Sequence, residues 1–167
     1  MPQLPDRGPA QQLPVRDLRL SFSGNLLDAK YDKYLGAAAY LQDAFGNGLL
    51  TSVDASGTRG VNAPKWSFTV GAGYTAHLGD GSRMEFNTSY FRTASMKVGI
   101  GASDFVKEYD SLGASITYVT PSDHFYVRVF GNNLTDRRVL GINMSALKAS
   151  RQVIKPITYG AAVGFRF

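Results

Sequence analysis

Few residues in this chain have the type and spacing that chemistry needs. Asp104, Glu108 and Asp110 lie close together, and carboxylate oxygens are what a hard cation such as calcium takes as ligands. The ordinary reading of such a cluster is a solvated acidic loop. His77 and His124 are far apart, each at an expected turn, which does not favour an imidazole metal site. With no cysteine, thiolate sites and disulfides are excluded. Serine and histidine never approach a nucleophile motif. Gly71-Ala72-Gly73 lacks the rest of a phosphate-cradling GxGxxG and falls inside a strand pattern, where glycine marks close backbone packing. Asn133-Leu134-Thr135 matches an N-glycosylation sequon, which carries little weight without a secretory signal. No catalytic constellation and no cofactor site is expected.

Bulk composition is that of an ordinary globular protein: 44% hydrophobic, 19% charged, with a mean hydropathy of −0.14. Net charge is +5 and the isoelectric point about 9.5. The cations are scattered (Arg16, Arg19, Lys30, Lys33, Arg59, Lys65, Arg83 and onward). Without a basic run or a nucleic-acid motif, nucleic acid is not an expected partner. The 18 Gly, 9 Tyr and 10 Phe beside a single Trp suggest aromatic strands joined by tight turns. No stretch approaches the ~20 apolar residues of a membrane helix. Residues 1–16 read as a Pro-rich, disordered lead-in with Pro2, Pro5, Pro9 and Pro14, and have no secretory signal.

The elements that would position any function are strands. Tyr159, Ala161, Val163, Phe165 and Phe167 alternate with Gly160, Ala162, Gly164 and Arg166. Side chains of a strand alternate faces, so one face is greasy and the other small or cationic. The same period begins near Asp17, with Leu18, Leu20, Phe22 and Leu26 on one side, and predicts a strand over 17–31. It returns over 65–77 (Trp66, Phe68, Val70, Ala72, Tyr74, Ala76) and 83–90 (Met84, Phe86, Thr88, Tyr90). It continues over 111–118 (Leu112, Ala114, Ile116, Tyr118) and from Phe125 through Val127 and Val129. Leu78 to Ser82 and Thr120 to Asp123 read as tight turns. Residues 32–62, a looser segment near 96–106, and 139–155 read as long loops. The fold class expected is all-β: about six long antiparallel up-and-down strands, an incomplete part of a transmembrane β-barrel. The strands approach the ~9–11 residues that a tilted membrane strand needs, and long and short connections alternate as in outer-membrane barrels.

Three stretches carry a family resemblance. Asn62-Ala63-Pro64-Lys65-Trp66 resembles the APKW-type opening of a barrel strand in TonB-dependent outer-membrane receptors. Gly131-Asn132-Asn133-Leu134-Thr135-Asp136-Arg137 is similar to the NLTD-type segment of that family's penultimate strand. Tyr159 to Phe167 resembles its closing strand, and Leu27-Asp28-Ala29-Lys30-Tyr31 also fits. The resemblance covers 17–167 and implies a C-terminal barrel segment of such a receptor, a plugged barrel of ~22 strands. It implies energy-dependent uptake of a scarce ligand such as a siderophore, cobalamin or carbohydrate, and residence in the outer membrane. It also implies that Tyr159, Ala161, Val163, Phe165 and Phe167 form the signature read by the barrel-assembly machinery, so that deleting Phe167 impairs insertion. The implied partners are outer-membrane lipid, that machinery, and the remaining strands and plug of the parent receptor. No plug, TonB box or earlier strands are present in the sequence, which reads as a truncated fragment not transport-competent alone.

Six strands are too few to close a barrel, since about eight is the minimum; an open sheet in lipid leaves two rows of unpaired backbone groups. Arg128 and Arg166 are expected on lumen faces of neighbouring strands, against the plug. Asp28, Tyr31, Asp32 and Tyr34 border the first loop, as an aromatic girdle or as ligand contacts. Two other readings remain open: a soluble all-β, carbohydrate-binding-like module, and a small autonomous barrel, which the N-terminal prolines disfavour.

Overall fold

A computed structural model describes residues 16–42, 48–100, 105–138, 140–145, 148–153 and 155–166. Its centre is one antiparallel sheet of six strands. They are β1 (Leu18–Leu26), β4 (Trp66–His77), β5 (Arg83–Thr93), β8 (Tyr109–Val119), β9 (Phe125–Asn132) and β12 (Thr158–Phe165), side by side in that order. Each strand pairs with its neighbour in this up-and-down sequence, so the sheet has no crossover. Three satellite pairs complete the described structure: β2 (Ala37–Gln42) with β3 (Gly48–Val53), β6 (Met96–Lys97) with β7 (Phe105–Val106), and β10 (Leu140–Ser145) with β11 (Lys148–Val153). No helix occurs among the described residues. The chain is all-β, as expected.

The six main strands form where the sequence alternates, and the register keeps that alternation in phase across the sheet. Leu18, Leu20 and Phe22 stand opposite Tyr74, Ala72 and Val70. These in turn face Phe86, Thr88 and Tyr90, then Ile116, Ala114 and Leu112. Ile116 stands opposite Val129, which faces Ala161 on the last strand. A slip of one residue at any pairing would mix the faces; none occurs.

Two tight turns close one end. Between β4 and β5, the Asp80 carboxylate accepts from the Ser82 amide at 2.9 Å and its hydroxyl at 2.6 Å, while Gly81 supplies φ +84°, a region costly to residues with a Cβ. The Ser82 hydrogen bonds hold the Asp80 carboxyl below its ordinary pKa of 3.8. Between β8 and β9, the Phe125 amide donates to the Thr120 hydroxyl at 3.2 Å, and Asp123 takes φ 60°. The three long segments, 27–65, 94–108 and 133–157, all lie at the opposite end, and each contains satellite strands.

The strand expected over 17–31 pairs only to Leu26. Its partner β4 begins at Trp66, behind Pro64, which has no amide to donate, and Asn62, which turns at φ 55°. The ladder closes with the Leu27 amide on the Lys65 carbonyl at 2.9 Å. The long loops expected over 32–62 and 139–155 hold the β2–β3 and β10–β11 hairpins. Residues 1–15 of the expected lead-in lie outside the described residues.

Candidate functional site: the two faces of the sheet and their rims

Period-two alternation gives the sheet one apolar and one polar face, and neither is covered by a second layer of the described structure. Among the described residues the buried apolar ones are Ala37, Ala39, Ala55, Ala63, Val106 and Val119. None belongs to the apolar face. On that face Phe22 is 61%, Val163 64% and Phe165 70% exposed, where an ordinary domain would have its core.

Rings gather toward the two ends of this face, with Phe22 and Tyr90 reaching inward to the row of Val70, and aliphatic side chains take most of the band between. Toward the long segments, Trp66 and Phe68 stack at 5.9 Å between centroids, Phe68 meets Phe22 at 6.5 Å and Tyr90 at 6.2 Å. Tyr159 stands at the same end of β12. Toward the tight turns, Tyr74 stacks with Phe86 at 6.4 Å and Phe125 meets Phe165 at 5.1 Å. Val70, Ala72, Ala114, Ile116, Val127, Val129, Ala161 and Val163 fill the band between. β4 has 12 residues; at about 3.3 Å per residue it runs about 40 Å, and tilted ~45° it spans about 28 Å.

The polar face is low along its middle. Ser21, Ser67, Thr69, Gly71, Gly73, Ser89, Gly113, Ser115 and Thr117 line it. The larger side chains on β9 lie down: Phe130 covers Gly160, where an added Cβ would come within 2.8 Å of the ring, and Tyr126 lies over Gly164 where a Cβ would collide with it. The Arg128 guanidinium sits 5.6 Å from the Phe130 ring centroid, a cation–π contact. Beside it Asn87, Ser89, Ser115 and Asn132 surround a shallow depression of about 210 Å³.

Arg128 is thus on the polar face, as the alternation predicts. Arg166 follows the end of β12, its amide donating to the His124 carbonyl at 2.8 Å. Tyr159, Ala161, Val163 and Phe165 stand on the apolar face opposite Gly131, Val129, Val127 and Phe125; Phe167 lies outside the described residues. Of the acidic cluster, the two described members each lie near an arginine. Asp110 accepts from Arg137 Nε at 3.0 Å, Glu108 is 3.9 Å from Arg92, and Asp104 lies outside the described residues. Among the described residues no group of three His, Cys, Asp or Glu could hold a metal. His77 is 3.2 Å from Asp17.

Asn133 of the sequon is 7% exposed at φ 49°. Its side-chain amide donates to the carbonyls of Arg137 at 3.2 Å and Lys155 at 3.1 Å. Its side-chain oxygen accepts from the Arg137 amide at 3.2 Å. The residue is a clasp at the top of β9, and its nitrogen is not available for glycosylation in this fold. Leu134 folds back over Gly131, where a Cβ would come within 2.6 Å.

At the root of the first long segment Tyr31 and Tyr34 meet at 5.0 Å, and Asp28 pairs with Lys30 at 3.5 Å. A backbone bridge sets Lys30 directly opposite Arg59. Lys30 and Arg59 line, with Lys65, a cleft that the sequence did not reveal, because its members are separated by the intervening hairpin. Comparison with protein-family models, with curated proteins and with solved structures finds no match to this chain.

Proposed function

We propose that this chain is the C-terminal barrel segment of a TonB-dependent outer-membrane receptor, and that it contributes wall rather than chemistry to energy-dependent uptake of a scarce ligand. The observation that carries the reading is the apolar face: continuous in register over six strands, exposed, and bordered by rings at both ends. Lipid is the medium in which such a face costs nothing, and aromatic girdles at both interfaces are the mark of a transmembrane barrel wall. All tight turns at one end and all long segments at the other match the periplasmic and external sides of such a wall.

The polar face supports a wide parent barrel. An eight-stranded barrel is filled by its own side chains; the serines and glycines here would leave its centre empty. They suit a wall with a separate body inside, and Arg128 is placed to meet it. The outer edges of β1 and β12 are open in the described sheet. β1 runs toward the long segments and β12 away from them, so further strands can continue the antiparallel alternation on either side and close the barrel.

An antibody raised against residues 54–62 tests this in cells of the source. The reading expects the epitope in the outer-membrane fraction, on a band far larger than the 18.1 kDa of this chain. A soluble band of 18.1 kDa would contradict it and favour the all-β binding module.

A further inference from the structure

The geometry points to a binding site for the phosphate of an anionic lipid at the long-segment rim of the apolar face, beside β1 and β4. The inference rests on the membrane reading above, and it goes beyond that reading by assigning a ligand to one corner of the wall.

Two adjoining clefts form this corner and share Leu26 and Trp66. The lower one, about 680 Å³, is a groove on the apolar face between Phe22, Leu26, Trp66 and Phe68. Gly24, opposite Phe68, contributes no side chain to the row between Phe22 and Leu26, and the Phe22 ring leans into that place, 3.2 Å from where a Gly24 Cβ would stand, forming one wall of the groove. Leu26 is 87% exposed there. The upper cleft, about 660 Å³, has Lys30, Arg59 and Lys65 around it, with Asp28 as its one carboxylate. A hydrocarbon groove leading into a cationic pocket has the polarity of a lipid standing along the wall, its acyl chain below and its headgroup above.

The cations are arranged against their own repulsion. Lys30 and Arg59 stand directly opposite each other across a backbone bridge, and like charges in that position destabilise a pair. Asp28 offsets only Lys30, at 3.5 Å; among the described residues neither Arg59 nor Lys65 lies within ion-pair distance of a carboxylate. A phosphate between them would relieve the repulsion and accept charge-assisted hydrogen bonds from a planar guanidinium and two ammonium groups. The rest of the molecule is biased the same way. At the long-segment end Lys33, Lys97, Lys107, Arg137, Arg138 and Lys155 add to these three cations and outnumber Asp28, Asp32, Asp54, Glu108, Asp110 and Asp136, whereas at the tight-turn end Asp17, Asp80, Glu85 and Asp123 offset Arg16, Arg83 and Arg166. The site therefore faces the leaflet at the long-segment side.

Trp66 is the chain's single tryptophan and lines both clefts, so its fluorescence reports on this corner alone. The full chain is placed in neutral maltoside micelles and titrated with phosphatidic acid carrying a doxyl quencher on its acyl chain. The control is doxyl-labelled phosphatidylcholine at the same mole fraction. The expected result is quenching by both lipids, with half-quenching at roughly tenfold lower mole fraction for phosphatidic acid. Arg59→Gln with Lys65→Gln should abolish the preference and leave quenching by phosphatidylcholine intact; Arg59→Lys should retain most of it. Equal quenching by the two lipids would overturn the phosphate site while leaving the lipid-facing wall standing. So would a preference that survives the double substitution, or one removed by inorganic phosphate at concentrations comparable to the lipid. Quenching by neither lipid would sink the membrane reading itself.

Discussion

Asn133 shows how one side chain can hold a rim together. It accepts the left-handed backbone at φ 49° that asparagine tolerates better than most residues, and its amide joins two carbonyls from segments before and after the β10–β11 hairpin. Asn133→Ala removes those bonds, leaves two part-buried carbonyls without their donor and strains the backbone. The expected loss is about 2–4 kcal/mol in denaturant unfolding of the micelle-bound chain. Asn133→Gly should recover the backbone part only. A residue-scale pH effect belongs to the turn before β5. Because Ser82 holds the Asp80 carboxyl below 3.8, the folded turn favours the ionised form. Its contribution is therefore complete above the unfolded pKa of about 4 and is lost as pH falls through the lower folded value. Hydrogen exchange at the Ser82 amide should become less protected over that acid range in the native chain. It should show no such step in Asp80→Asn, whose amide oxygen accepts at every pH.

At the scale of the element, each main strand is a two-sided boundary, and a charge should be felt on one side only. Val70→Arg places a cation in the middle of the apolar band and should cost about 2–4 kcal/mol of bilayer-folded stability. Thr69→Arg, one residue away on the polar face, should cost little; urea titration of the chain in lipid vesicles compares the two. Equal costs would mean the faces are not in different media. This same difference between faces is why the main strands could be read from sequence: residues such as Trp66, Phe68 and Val70 against Ser67, Thr69 and Gly71 write the period directly. The β2–β3 hairpin shows what could not be read. Ala37 and Ala39 are buried, at 1% and 3%, while Ala38 between them is exposed. The burial has period two, but three alanines in a row cannot display it. The stop of β1 at Leu26 was equally hidden, because it is set by Pro64 and Asn62 just ahead of the partner strand. The cationic cleft was hidden for a related reason: Lys30, Arg59 and Lys65 meet only after that hairpin folds.

For the whole molecule, the decisive fact is the lack of a hydrophobic core among the described residues. The apolar side chains that would make one are spread over a single layer in register, and the burial that stabilises a globular domain has to come from surroundings. In the function we propose, lipid on one face, an occupied lumen on the other and further strands at both edges would supply it together. The most direct test of that account uses the absence of cysteine in the chain. Single cysteines are introduced from Trp66 to His77 of this segment within the intact outer-membrane protein that carries it, spin-labelled, and read in lipid vesicles for collision with oxygen and with a water-soluble nickel chelate. The account predicts oxygen access peaking at 68, 70, 72 and 74 and nickel access peaking out of phase at 69, 71, 73 and 75. Nickel access that is high and equal at all these positions, with no period of two, would contradict a wall standing between lipid and lumen.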